Sequence, residues 1–98
     1  MLTEIQVLPS PPGDPDAPYR HIDAAIGVIA ASGLRYEVGA LGTTVEGPAD
    51  ECWAVVREAH EACLRAGADS VVTIVKLHQA ANPARQVSID DLTAPHRH

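Results

Sequence analysis

Residues Leu34 to Gly47 read LRYEVGALGTTVEG, and this stretch predicts the β-hairpin on which the rest of the fold depends. Apolar side chains occupy every second position from Leu34 to Val38, which is the period of a half-buried strand. Gly42 interrupts this pattern, and the β-branched residues that follow it suit a second strand. Pro48 then begins a helix, because proline is favoured at a first helical position. The alternation places Thr44 and Glu46 on the face opposite Val45.

The segments on either side of the hairpin complete one domain. Apolar residues recur at helical spacing before and after the hairpin. Farther out, near each end of residues 1–79, apolar and polar residues alternate as in a strand. The predicted elements are a strand Leu2 to Leu8, a helix from about Tyr19 to Ser32, the hairpin, a helix from about Pro48 to Ala66 and a strand Ser70 to His78. This order predicts an α+β, ferredoxin-like βαββαβ sandwich, a four-stranded antiparallel sheet with two helices on one face.

We interpret residues 1–98 as a single ferredoxin-like domain, with a core over 1–79 and a C-terminal extension over 80–98. Ser88 and Asp91 have the spacing of a capping box, which predicts a short helix through Leu92 that Pro95 ends.

Composition restricts the class of partner. The formal charge of −6 argues against nucleic acid, because binding to phosphates needs clustered lysine and arginine. No apolar stretch is long enough to span a bilayer, and no signal peptide is visible, so we expect no membrane partner. Cys52 and Cys63 fall in one predicted helix, roughly 16 Å apart at 1.5 Å per residue, which is too far for a disulfide. Free cysteines favour a cytoplasmic location.

The sheet face without helices carries both apolar and charged side chains. By alternation it holds large aliphatic residues among them, which a solvated face would not retain. We therefore predict a homo-oligomer that buries this face. The residues assigned to it are Leu2, Glu4, Gln6, Leu8, Arg35, Glu37, Leu41, Thr44, Glu46, Val72, Ile74, Lys76 and His78.

Three carboxylates on this face, Glu4, Glu37 and Glu46, have two interpretations. They suit a cationic or amine-bearing ligand or acid–base chemistry; alternatively, they pair with Arg35 and Lys76 across neighbouring strands. We favour pairing for any single glutamate, with Glu46 as the exception, because it stands at a strand end that leads into a helix.

Other reactive side chains give weaker signals. His60 and Cys63 are at most half of a metal site, and we predict no metal. His21 is expected to be solvated or to cap the first helix. Trp53 suits packing, an interface or stacking on a ligand. No nucleophile or phosphate-binding motif is present, so we predict no catalytic residues and no cofactor.

Several short motifs together resemble a family of small thiamine-binding proteins with a ferredoxin-like fold. The motifs are Val7-Leu8-Pro9 at the end of the first strand, Ser32 to Glu37, Leu41 to Gly47, His60-Glu61, and Thr73 to Lys76. The resemblance implies a non-catalytic binder of thiamine or its hydroxymethylpyrimidine moiety, assembled as a tetramer built from dimers. Glutamate, glutamine and threonine side chains suit such a ligand, and an aromatic neighbour can add a cation–π contact. The binding residues predicted with the resemblance are Gln6, Glu37, Leu41, Thr43, Thr44, Glu46 and Trp53. Two alternatives remain: a structural oligomer without a small ligand, and a small ferredoxin-like enzyme.

Overall fold

A computed structural model describes residues 1–97 and confirms the predicted order of elements. Each predicted helix and strand is present, with ends that differ by at most two residues from the sequence expectation. The elements are β1 Leu2–Ser10, α1 Arg20–Ala31, β2 Arg35–Val38, β3 Thr43–Glu46, α2 Ala49–Arg65, β4 Ser70–His78 and α3 Ile89–Thr93, with single 3₁₀ turns at Pro83–Arg85 and Ala94–His96.

The sheet is antiparallel throughout and its strands have very different lengths. The strand order is β2-β3-β1-β4. Strand β1 pairs with β4 from Leu2 to Ser10, whereas it pairs with β3 only from Leu2 to Ile5. Because β2 and β3 are four residues each, the far half of β1 has a neighbour on one side only.

Both long helices pack on the same face of the sheet, and aliphatic and small residues fill the space between them. Val45 and Ile5 of the sheet contact Ile29 of α1 and Ala59 of α2 in one buried cluster. The alternation in the hairpin explains this arrangement, since Thr43 and Val45 are buried whereas Thr44 and Glu46 are not. Tyr36 packs against the same cluster, as its position in the alternation predicts.

The opposite face of the sheet, called the free face below, is not left bare. Residues 79–97, which we call the strap, return across one end of it and carry α3. The predicted capping box is present: the Asp91 amide donates to Ser88 Oγ at 3.0 Å, and the Ser88 amide donates to the Asp91 carboxylate at 2.9 Å. Ile89 is only 2% exposed beneath the strap. The expectation that no helix covers this face was therefore wrong at that end.

Two further expectations concern single side chains. Cys52 and Cys63 are both buried and unpaired, and burial raises the pKa of each thiol. His21 is not solvated: it is 4% exposed, and its Nδ1 lies 2.6 Å from the Pro11 carbonyl oxygen, which ties the proline-rich loop to α1.

Within residues 1–97 no helix is both long and apolar enough to cross a bilayer.

Candidate functional site

A cavity opens on the free face between the sheet and the strap. Its volume is about 650 Å³. The strap contributes Ile89, Leu92 and Thr93, and the sheet contributes both apolar and polar residues: Leu2, Glu4, Glu37, Thr44, Lys76, Leu77 and His78. We call it the free-face cavity.

The register of the sheet explains which polar residues reach this cavity. Glu37, Thr44, Glu4 and Lys76 are successive cross-strand partners, one from each strand in spatial order. Residues that pair directly across antiparallel strands project on the same face, so these four form a single row. The row places a hydroxyl between two carboxylates and ends in an ammonium group.

The carboxylates of this row are paired with cations. Lys76 Nζ lies 3.8 Å from Glu4 Oε1, and Arg97 Nη2 of the strap lies 3.3 Å from Glu37 Oε2. All four side chains are between 44% and 81% exposed. Ion pairs with this exposure are weak and exchange readily, so a cationic ligand can replace either partner.

A second group of charges links the strap to the sheet. Asp90 accepts hydrogen bonds from Arg35 at 3.0 Å and from Arg97 at 3.1 Å. These two hydrogen bonds, first that from Arg35, lower the pKa of Asp90 below its ordinary value. Arg97 therefore joins Asp90 of the strap to Glu37 of the sheet.

Glu46, the glutamate favoured by the sequence, faces the strap instead of the cavity. The backbone N–H of Ile89 donates to Glu46 Oε1 at 3.4 Å. Glu46 is partly buried and is not among the residues that line the free-face cavity. Glu46 therefore contacts Ile89, the first residue of α3.

A second cavity lies behind the β2–β3 loop, on the side of α1. Its volume is about 440 Å³, and it occupies the gap in the sheet beside β1 where β3 has already ended. Ile22 and Ile26 of α1 form one wall, Gln6 and Val7 of β1 another, and Tyr19 is also in its lining. We call it the notch cavity. None of its lining side chains carries a charge.

The structure places five of the seven predicted binding residues in these two cavities, and Glu46 and Trp53 in neither. Glu37 and Thr44 line the free-face cavity, whereas Gln6 and Thr43 line the notch cavity. Leu41 lines both, because residues 39–42 form a wall common to the two. Trp53 is 52% exposed on α2 and lines neither.

Sequence reasoning missed the contribution of several residues to these cavities. Tyr19 precedes α1 and gave no periodic signal, and the strap residues lacked any pattern that specified where the strap docks. Lys76 and Glu4 were placed on the free face correctly, but only the register shows that they extend the Glu37–Thr44 row. Within residues 1–97, no three His, Cys, Asp or Glu side chains gather as metal ligands do.

The fold and its cavities define a class: a small ferredoxin-like α+β protein with a cavity on the free face of its sheet that carries charged side chains among apolar ones. Residues 3–93 match the model of the thiamine-binding protein family, and the chain belongs to that family. A UPF0045 protein of Clostridium perfringens is 36% identical over 73 residues, which are 74% of this chain and 75% of that protein.

Solved structures agree with this assignment. A domain of unknown function from Bacillus cereus superposes with a TM-score of 0.84 at 38% identity, covering 98% of this chain and 88% of that one. A candidate thiamine biosynthesis/salvage protein from Thermotoga maritima superposes with a TM-score of 0.81 at 27% identity, covering 98% and 97% of the two chains. The fold is therefore shared with proteins of these two bacteria.

Proposed function

We propose that this protein binds thiamine, or the hydroxymethylpyrimidine from which thiamine is built, and holds it without changing it. The observation that carries the proposal is the free-face cavity with its two carboxylates, in a chain of the thiamine-binding family. Its volume of about 650 Å³ falls within the ~300–1,000 Å³ of typical small-molecule sites. Glu4 and Glu37 supply negative charge for the fixed positive charge of the thiazolium ring, and Thr44 offers a hydroxyl between them.

Binding without chemistry is favoured by how the carboxylates are held. A general acid or base needs a group that is free to exchange a proton with the ligand. Glu4 and Glu37 are each paired with a cationic side chain already, so we expect a ligand cation to replace that side chain without transfer of a proton. In this scheme the ligand takes the place of Arg97 at Glu37.

Calorimetric titration with thiamine, thiamine diphosphate and hydroxymethylpyrimidine tests the proposal. We expect saturable binding of thiamine that weakens about tenfold in Glu37→Gln, because one charge-assisted contact is lost. Glu58→Gln is the matched control: it removes an exposed carboxylate of α2 that does not line this cavity. Glu46→Gln shows whether the carboxylate that contacts α3 also contributes. Absence of heat with all three compounds contradicts the proposal.

We further propose that the protein is a cytoplasmic homo-oligomer, a tetramer built from dimers, in which the rest of the free face is buried. Away from the strap this face exposes Leu8, Val72 and Ile74, at 46%, 61% and 48%. Three neighbouring aliphatic side chains with this exposure are typical of an interface. Light scattering on Ile74→Lys should give a smaller mass than the parent, whereas Leu64→Lys on α2, where the leucine is 44% exposed, should not. An oligomer that binds none of the three compounds would favour the alternative of a structural assembly.

A further inference from the structure

At one residue of β1, the backbone N–H and C=O in the wall of the notch cavity have no hydrogen-bonding partner among the described residues. In antiparallel sheets the N–H and C=O of a residue point to the same side, and residues two apart share that side. The Gly47 amide donates to the Met1 carbonyl at 3.2 Å and the Met1 nitrogen donates to the Gly47 carbonyl at 2.7 Å, so odd-numbered residues of β1 face β3. The Ser10 carbonyl accepts from Asp69 at 2.9 Å, which places even-numbered residues toward β4.

This parity directs the N–H and C=O of Val7 into the gap. Strand β3 ends at Thr43, the partner of Ile5, so no strand lies beside Val7 on that side. Among residues 1–97, no backbone or side-chain group forms a hydrogen bond to either atom there. A donor and an acceptor on a partly buried strand ordinarily have partners, because an unmade hydrogen bond is costly. The pair is therefore available to a ligand.

We propose that the notch cavity binds an uncharged aminopyrimidine, whose ring nitrogen accepts from the Val7 N–H while its amino group donates to the Val7 C=O. This inference rests on the proposed function and assigns the pyrimidine part of the ligand to a different place from the carboxylates. The uncharged lining excludes an ionic group and suits a neutral ring. Ile22 and Ile26 offer apolar contact to its face, and Tyr19, 64% exposed, is positioned to stack at the opening.

The same edge is too short for a peptide strand. The next residue of β1 that faces the gap is Pro9, which has no N–H. An added strand needs a series of alternating donors and acceptors, and this edge offers one donor. A small planar molecule with one adjacent donor and acceptor matches what is present.

The free-face cavity and the notch cavity have only residues 39–42 of their lining in common, so the two ligand contacts are separable by mutation elsewhere. Val7→Pro deletes the N–H without breaking the β4 ladder, because this N–H does not face β4. Val7→Ala keeps the N–H and shortens the side chain, so it separates loss of the hydrogen bond from loss of side-chain contact. Ile22→Phe fills the cavity from the helix side and keeps the test independent of the proline variant.

The experiment measures hydroxymethylpyrimidine affinity and follows the Val7 amide proton by nuclear magnetic resonance. We expect a downfield shift of that proton on binding, affinity lowered about tenfold in Val7→Pro and Ile22→Phe, a smaller loss in Val7→Ala, and little change in Glu58→Gln, whose carboxylate lies on α2 and lines neither cavity. The analogue that lacks the amino group should bind more weakly than hydroxymethylpyrimidine. Circular dichroism establishes that each variant is folded.

The outcomes separate this inference from the proposed function. If thiamine binds and hydroxymethylpyrimidine does not, or if folded Val7→Pro and Ile22→Phe keep full affinity, the notch is not the pyrimidine site although the protein remains a thiamine binder. An unmoved Val7 amide proton during saturable binding has the same meaning. If neither compound binds, the proposed function itself fails.

Discussion

Replacing Ile89 by alanine should detach the strap while leaving the sheet and the two long helices folded. Ile89 is 2% exposed, yet it does not belong to the core cluster between the helices and the sheet. Its burial serves the contact between α3 and the free face. Truncating a fully buried isoleucine to alanine costs about 2–5 kcal/mol, of which roughly 2 kcal/mol is lost burial of apolar surface.

No other strap contact offsets such a loss. The ion pairs of Arg35, Asp90 and Arg97 are all roughly half exposed, and exposed pairs stabilise little. The hydrogen bond from the Ile89 amide to Glu46 is long at 3.4 Å. The side chain of Ile89 therefore supplies most of the free energy that docks the strap.

Native-state hydrogen exchange and limited trypsin digestion measure this effect. In Ile89→Ala the Asp91 amide, which is bonded to Ser88, should exchange at least thirtyfold faster, as expected for a local loss of about 2 kcal/mol. Cleavage after Arg85 should accelerate as well. Leu92→Ala is the control, because Leu92 is 53% exposed on the same helix. If Ile89→Ala instead lowers the global free energy of unfolding and strap exchange does not precede core exchange, the strap is part of the cooperative core and the reasoning is wrong.

Three other predictions follow from the same contacts. Arg97→Gln should raise thiamine affinity about two- to fivefold in calorimetry by removing a competitor, whereas Arg57→Gln, an exposed pair on α2, should not. Because the folded pKa of Asp90 lies below its ordinary 3.8, its contribution to strap docking is complete above that value and is lost as pH falls through the lowered pKa. The protection factor of the strap amides, which is the intrinsic exchange rate divided by the observed rate, should therefore fall in acid, and an equal acid response in Asp90→Asn would contradict this. Gly67→Ala should destabilise by about 1–3 kcal/mol in urea unfolding, because φ is +120° there; Gly27→Ala, in open space on α1, should stabilise by about 0.5–1 kcal/mol.

The main architecture could be predicted from sequence because its signals are local. Alternation from Leu34 to Val38 and from Thr43 to Glu46 specifies which side chains face the helices, and the structure buries Thr43 and Val45 as that pattern requires. The same parity assigned the free face correctly. Helical spacing likewise predicted the two long helices, on which Ile29 and Ala59 are buried.

The strap could be predicted only in part, because its contacts are distant in sequence. The capping box at Ser88 and Asp91 is a local motif and was visible. The pairing of Arg97 with Glu37 joins residues 60 positions apart, and no periodicity encodes it. The burial of Ile89 depends on where the strap crosses the sheet, which the residues around it do not specify.

The separation of charged and uncharged cavities follows from two local features acting together. The β2–β3 loop turns at residues 39–42, so the hairpin ends beside Ile5, while β1 continues to Ser10 against β4. The gap that results lies next to α1, whose facing side chains are aliphatic, and so it carries no charge. The alternation of side chains along β1 and β2 places Glu4 and Glu37 on the free face, where solvent and the strap surround their carboxylates. Proline at position 9 has no N–H, so the Val7 N–H is the one free donor on that side of β1 among the described residues. A ligand with one cationic and one neutral ring has, in this arrangement, a separate environment for each.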